Sequence, residues 1–351
     1  GPCYKKQERG KQKSVEDFIK HLEDYPEQQR QYVRNDDERD VWREAGLPPT
    51  LKDLATCSRG ARQHIAVILL DGDDMGAKLD ELDWGQMAQF STDLEEAMEA
   101  AIFQTLAKLL GPRQVQTDDG PSWLHPFEII YRGGDDLLLI VPGEAGLQVA
   151  QGIVAAFAAQ VRNRLAGCTL SGGVVVADSH FPIFYLHQIA KQLCGSAKRG
   201  KRQMRDRAQG WLDYLILRNT STPGVSVGAM RAARQRVADD GQVRRLYDRP
   251  LPLSDFQRLV RWGQELKRAG ARGQMRLMAQ AMDEGLLTGS AFVLYQTARS
   301  ESVQRTMLEV LQTYNDPPGW RSRTVPEASK PYLATVIPDL ADVLDFVLLE
   351  D

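Results

Sequence analysis

Five aspartates in two short runs are the residues of this chain best suited to do chemistry. "LLDGDDMG" supplies Asp71, Asp73 and Asp74, and "RGGDDL" supplies Asp135 and Asp136 behind a pair of glycines. Carboxylates gathered in this way repel one another, and ionising them side by side is costly unless divalent cations sit between them. Magnesium is the natural occupant, because it takes one or two carboxylates and leaves its other positions to water and substrate phosphates. A pair of such ions can activate an attacking hydroxyl and stabilise a leaving pyrophosphate. Gly133 and Gly134 suit that chemistry, since side chains there would obstruct a triphosphate and strain the turn.

The two runs must be brought to one end of a sheet, and the surrounding pattern does this. "QHIAVILL", from Gln63, is an almost unbroken apolar run rich in β-branched residues, as expected of a strand covered on both faces. Met87, Phe90, Leu94, Met98, Ile102, Leu106 and Leu109 recur every three or four positions and predict a helix over residues 84–110. "FEIIYR" and "DLLLIVP" flank "GGD" as a hairpin. A second helix over residues 145–165 places Ala150, Ile153, Phe157, Val161 and Leu165 on one stripe; the strand-like "TLSGGVVVA" and the helical "FYLHQIAKQLCGSAK" follow. The order β-α-β-β-α-β is the ferredoxin-like arrangement of an α+β protein. In it the first and third strands are antiparallel neighbours, so Asp71 at the end of one should meet Asp135 at the start of the other.

The length of 351 residues suggests two domains or slightly more. Residues 1–60 are polar, with one amphipathic helix near 15–22 and a turn at "GLPPT", and no function is assigned to them. Residues 61–208 form the sheet domain. From Gln209 onward strand signals vanish, and helices are expected around residues 225–237, 254–269, 275–287, 291–298, 303–313 and 332–349, giving an all-α helical domain over 209–351. Net charge is only -3, but residues 64–146 hold 4 basic and 16 acidic residues whereas residues 196–250 hold 13 basic and 5 acidic ones. That contrast suits a cation site facing a basic stretch that meets a polyanion, or simply two solvated surfaces of opposite sign. The scattered Cys3, Cys57, Cys168 and Cys194 argue against a zinc site or a disulfide framework. With no apolar run near the roughly 18–20 residues needed to cross a bilayer, and charges where a secretory signal would be apolar, the expected location is the cytoplasm, with no membrane partner. The opening Gly1-Pro2 resembles the remnant of a removed tag, and the chain reads as one entered partway through.

Taken together, "VILLDGDDMG", "IYRGGDDLLLIVP", "TLSGGVVVAD", "FPIFYLHQIAKQLCGSAKRGK" and the helical C-terminus resemble the active palm and C-terminal helical domain of the large subunit of type III CRISPR effector complexes, most nearly the Cmr type, over residues 60–350. The resemblance implies a nucleotidyltransferase that joins ATP through 3'-5' bonds into cyclic oligoadenylates when the complex holds target RNA, in antiviral defence. It implies two Mg2+ or Mn2+ ions, ATP as substrate, and the other effector subunits, guide RNA and target RNA as partners. The family's metal-binding aspartates map onto Asp71, Asp135 and Asp136, with Asp73 as a supporting ligand. Asp74 stands where such subunits often carry Asn. By likeness to related nucleotide cyclases, Ser171, Lys198 and Lys201 are expected near the nucleotide, together with Gly72, Gly133 and Gly134.

The family's HD nuclease, first palm and zinc element have no counterpart in the sequence, which lacks a His-Asp dipeptide and a Cys cluster, so cleavage of single-stranded DNA is not expected. Alternatives are a scaffold subunit that binds nucleotide without turnover, and a diguanylate-cyclase-like enzyme, against which "GGDDL" lacks the Glu and aromatic those enzymes show. "GSAKRGKR" nearly spells a P-loop, but Arg202 replaces the magnesium-binding Ser or Thr and the run follows a helix. Lys198, Arg199, Lys201, Arg202, Arg205 and Arg207 could instead bind a triphosphate or an RNA backbone, or form a solvated face. His125, His180 and His187 read as strand-end or packing residues rather than ligands; Phe181, Phe184 and Tyr185 could touch a base but read first as packing beneath the sheet, and Trp211, Trp262 and Trp320 as packing among the helices.

Overall fold

The computed structural model describes residues 2–25, 32–33, 35–60, 63–117, 120–162, 165, 167–206, 208–218, 226–238, 241–324 and 331–349, with side chains from residue 13 onward. The helices Pro2–Asp24 (α1), Asp36–Glu44 (α2) and Leu51–Thr56 (α3) precede the strand His64–Gly72 (β1). Next come Met75–Leu79 (α4), Trp84–Leu109 (α5), the small hairpin Arg113–Thr117 (β2) and Gly120–Leu124 (β3), and the expected hairpin Glu128–Gly133 (β4) and Asp136–Pro142 (β5). Gly146–Gln160 (α6), Leu170–Asp178 (β6), Ile183–Gln203 (α7) and Trp211–Ile216 (β7) complete this half.

Alternation in β1 sets the layers. Ala66, Ile68 and Leu70 face a core shared with Ala101, Ile102 and Leu106 of α5 and with Ala150, Ile153 and Phe157 of α6. Ile65 and Val67 face the other way, against Leu186, Ile189, Ala190 and Leu193 of α7, as the two-residue period of a strand requires. The long helix α5 starts at a capping box, in which Asp83 accepts from the Gln86 N–H and Gln86 reaches back. The sheet order is β10-β7-β6-β1-β5-β4, where β10 is Leu251–Pro252. Four of these in succession, β6-β1-β5-β4, are the ferredoxin-like order expected from the sequence.

The expectation that strands end at Gln209 is corrected. β7 lies parallel to β6, with α7 as the crossover between them, and β10 pairs antiparallel on the outer edge. Beyond it a second sheet has the order β11-β12-β9-β8, formed by Gln235–Val237 (β8), Val243–Arg245 (β9), Arg321–Arg323 (β11) and Tyr332–Ala334 (β12). The helix expected over residues 225–237 covers only Val227–Ala232 (α8), Val225 lying outside the described residues, and β8 follows. The one expected over residues 332–349 begins as β12 and becomes Ile337–Val343 (α13). Strands such as "QRV", "VRR" and "RSR" are too short and too polar to show an apolar alternation. The remaining helices, Leu253–Arg268 (α9), Arg272–Glu284 (α10), Leu286–Arg299 (α11) and Glu301–Thr313 (α12), match the expected segments; α9 packs on α6 and α13, α10 on α13, α11 on α10, and α12 on α9. No helix among the described residues is long and apolar enough to cross a membrane.

The seating of α7 on the sheet depends on Gly173. A Cβ there would come 2.5 Å from the Leu193 Cβ and 2.6 Å from the Cys194 backbone nitrogen, so only glycine lets the helix backbone approach β6. Gly173→Val is expected to destabilise the protein by about 1–3 kcal/mol through overpacking, read as a lowered urea midpoint with an unchanged slope. An unshifted midpoint would show that α7 is free to ride outward.

Candidate active site

Strand parity brings the acids together. Ile65, Val67 and Leu69 of β1 share the α7 face, and Asp71 is next in that series; Ile140 and Leu138 of β5 share it too, and Asp136 continues it. Leu70 is opposite Leu137 in the antiparallel register, so the next step sets Asp71 opposite Asp136. The two carboxyl groups are hydrogen-bonded. Asp136 is pushed up to about 6, first by burial, then by the hydrogen bond to Asp71 and the charges of Asp71 and Asp135, with Lys198 opposing. Asp135, in the turn, lies over Gly72, where an added Cβ would sit 2.8 Å from the Asp135 Cβ. Asp71 thus faces Asp136 directly, with Asp135 beside them. The turn itself relies on Gly134, whose φ of +59° suits glycine.

Lys198 of α7 completes the group. Its ammonium is 2.5 Å from Asp71 Oδ2 and donates to the Gly72 carbonyl oxygen at 2.6 Å. Among the described residues no three His, Cys, Asp or Glu side chains form a metal-holding cluster. The ammonium is instead a stand-in cation, held by hard oxygens of the kind Mg2+ or Mn2+ prefers. Asp71, Asp136 and the Gly72 carbonyl therefore fit such an ion once Lys198 turns away. The carbonyl was invisible to sequence reasoning because any residue has one.

Asp71, Asp136 and Lys198 line an open cleft of about 460 Å³ that Tyr131, Leu138, His187, Lys191 and Cys194 also border. Burial pushes the Cys194 thiol up to about 12, so it stays protonated and is no nucleophile there. Phe184 and Tyr185 are exposed rather than packed beneath the sheet, and only Phe181 is buried as expected.

Residues 64–208, which contain this cleft, match the family described as Cas10/Cmr2, second palm domain. That stretch is similar to a palm domain of the type III CRISPR large subunit. The chain is 27% identical over 171 residues to the CRISPR system Cmr subunit Cmr2 of Pyrococcus furiosus, covering 44% of this chain and 17% of that protein. Among solved structures, Csm1 in T.onnurineus aligns at 15% identity with a TM-score of 0.47, over 72% of this chain and 34% of that one. The Csm1-Csm4 cassette in complex with cA3 aligns at 15% identity and TM-score 0.47, over 85% of this chain and 38% of that one. The chain thus spans well under half the length of each.

Within the palm, the structure separates the other expected site residues from the cleft. Asp73, expected as a supporting metal ligand, is buried, and its Oδ2 accepts from Thr169 Oγ1 at 2.7 Å, Ser171 Oγ at 2.8 Å and Lys201 Nζ at 2.9 Å. Ser171 is fully buried and also accepts from the Trp211 N–H at 3.0 Å. Lys201 is buried against Asp73 and Thr169. Asp73, Ser171 and Lys201 therefore brace the end of β1 on β6 and α7, and none lies free to touch a nucleotide. Asp74 is exposed and left-handed (φ 56°), a conformation Asn and Asp both tolerate, which accounts for either residue there. The basic run is dispersed around α7, with Lys198 on the cleft, Lys201 buried and Arg199 on the opposite side; Arg207 lies outside the described residues. Trp211 belongs to β7 rather than to a helix.

Lys201→Met should cost about 3–5 kcal/mol by stranding the Asp73 carboxylate, and Asp73→Asn combined with Lys201→Met should recover part of it. Urea denaturation measures both; a near-neutral single variant would mean that water, not Lys201, balances Asp73.

Proposed function

We propose that this palm condenses ATP into cyclic oligoadenylate, as part of a type III effector large subunit whose complex has bound target RNA. The observation that carries this is the opposed Asp71 and Asp136 pair with a cation already seated against Asp71 and Gly72. Divalent cations held by Asp71, Asp136 and the Gly72 carbonyl, with Asp135 beside them, would supply charge neutralisation for the attacking 3'-hydroxyl and the departing pyrophosphate. The 3'-oxygen of one nucleotide forms the new bond to the α-phosphorus of another as the bond to pyrophosphate breaks. Lys198, released from Asp71, has the reach to meet the phosphates, and Lys191 on the same wall adds a second positive charge. Tyr131, half exposed at the rim, offers a flat face to a base. The Gly133-Gly134 turn leaves the hairpin tip open to a triphosphate. No protein base is required, because positioning and charge neutralisation account for this class of transfer.

The test is conversion of ATP to oligoadenylate and pyrophosphate by the assembled complex with Mg2+ or Mn2+. Asp71→Ala and Asp136→Ala should each lower the rate by about a hundredfold or more, and Asp135→Ala by less. Undiminished synthesis by the Asp135→Ala plus Asp136→Ala variant overturns the assignment. Tight ATP binding without pyrophosphate release by the native complex would replace it with a non-catalytic scaffold.

A further inference from the structure

A second cavity, of about 240 Å³, opens on the opposite side of α7 from the cleft, where α7 and β7 meet the small sheet. Ser196, Arg199, Gly200 and Gln203 face it, whereas His187, Lys191, Cys194 and Lys198 face the cleft. At about 100° per residue these are opposite sides of one helix.

The wall of this cavity is cationic. Arg199, Arg231, Arg245, Arg249 and Arg323 line it, with Asp248 as the carboxylate among them. Three of the arginines are already neutralised. Arg231 pairs with Asp213 and donates to Ser196 Oγ at 2.7 Å, and Arg249 lies 3.0 Å from Asp339. Arg323 holds both oxygens of Asp248, at 2.9 and 2.6 Å, and Tyr314 donates to the same carboxylate. Arg199 and Arg245 have no carboxylate partner among the described residues. Arg199 is exposed, whereas the Arg245 guanidinium carbon sits over the Tyr332 ring, 3.7 Å from its centroid, with Nε buried and unbonded. A guanidinium stacked on an aromatic ring presents its N–H fork in a fixed plane, which matches two oxygens of a phosphate. Tyr247 and Trp211 add aromatic surface beside it.

We infer that this cavity binds a phosphate monoester of mononucleotide size, with the phosphate between Arg199 and Arg245. The volume lies below the usual range for ligand pockets, roughly 300–1,000 Å³, so it suits a phosphate with its attached sugar rather than a passing strand. The ligand would join the palm helix α7 to β9 of the small sheet. The site shares no lining residue with the catalytic cleft and does not depend on what the cleft does.

The test is calorimetric titration of the full chain in EDTA with AMP, and with adenosine as the control. AMP should bind and adenosine should not; Arg199→Glu plus Arg245→Ala should weaken AMP about tenfold or more, the cost of about one charge-assisted hydrogen bond. Asp71→Asn plus Asp136→Asn should leave AMP affinity unchanged. Arg199→Glu alone, on an exposed helix face, should give a smaller loss and guards against misfolding of the double variant, with circular dichroism as the check. Absence of AMP binding, equal binding of adenosine, or binding abolished only by the cleft variant overturns the inference. A short RNA without a terminal phosphate that binds more tightly than AMP and depends on the same arginines also overturns it, in favour of a strand.

Discussion

Negative charge crowded at the end of β1 and the start of β5 has to be balanced, and α7 is the element that balances it. Lys198 and Lys201, three residues apart on that helix, meet Asp71 and Asp73, two residues apart on the chain leaving β1. About 4.5 Å of helix rise is thereby set against about 6.6 Å of extended chain, a mismatch that long lysine side chains absorb. The two pairs differ in burial, and that difference divides their roles. Lys201 and Asp73 are both closed off from water and tied to Thr169 and Ser171, so breaking them would strand a charge. Lys198 and Asp71 are partly exposed, with side-chain exposures of 22% and 36%, so their contact can be exchanged for another cation.

The glycines of β6 belong to the same constraint. Gly173 lets the α7 backbone close on the sheet, which brings both lysines within reach of the acids. Local conformation, helix seating and charge balance agree with one another around this one contact between a strand and a helix, and the catalytic reading rests on that agreement.

Much of this was legible in the sequence. β1, β4, β5, β6 and the helices α5, α6 and α7 carry long apolar patterns, so their order and the ferredoxin-like pairing could be read before any coordinate. The convergence of Asp71 with the "GGDD" turn followed from topology, while the choice of Asp136 as the facing partner depended on register. Asp73, Ser171 and Lys201 misled because residue type shows that a group can bind a cation or phosphate but not which way it points. β7 through β12 were missed since runs of two to six residues are too short to show a clear alternation, and β8, β9 and β11 are also rich in Arg. The second sheet gathers its arginines from segments up to about a hundred positions apart, so the cavity they line has no local signature.

One hydrogen bond links the sheet's extension to its acidic end. The Trp211 backbone N–H, on β7, reaches Ser171, which in turn donates to Asp73. A fragment cut at the limit of the matched family segment would leave the long edge of β6 bare, with unpaired amides inviting association with a second copy. Excision of this sheet as a unit with a closed edge is therefore governed by the outermost strand at Leu251–Pro252, some forty positions beyond that limit.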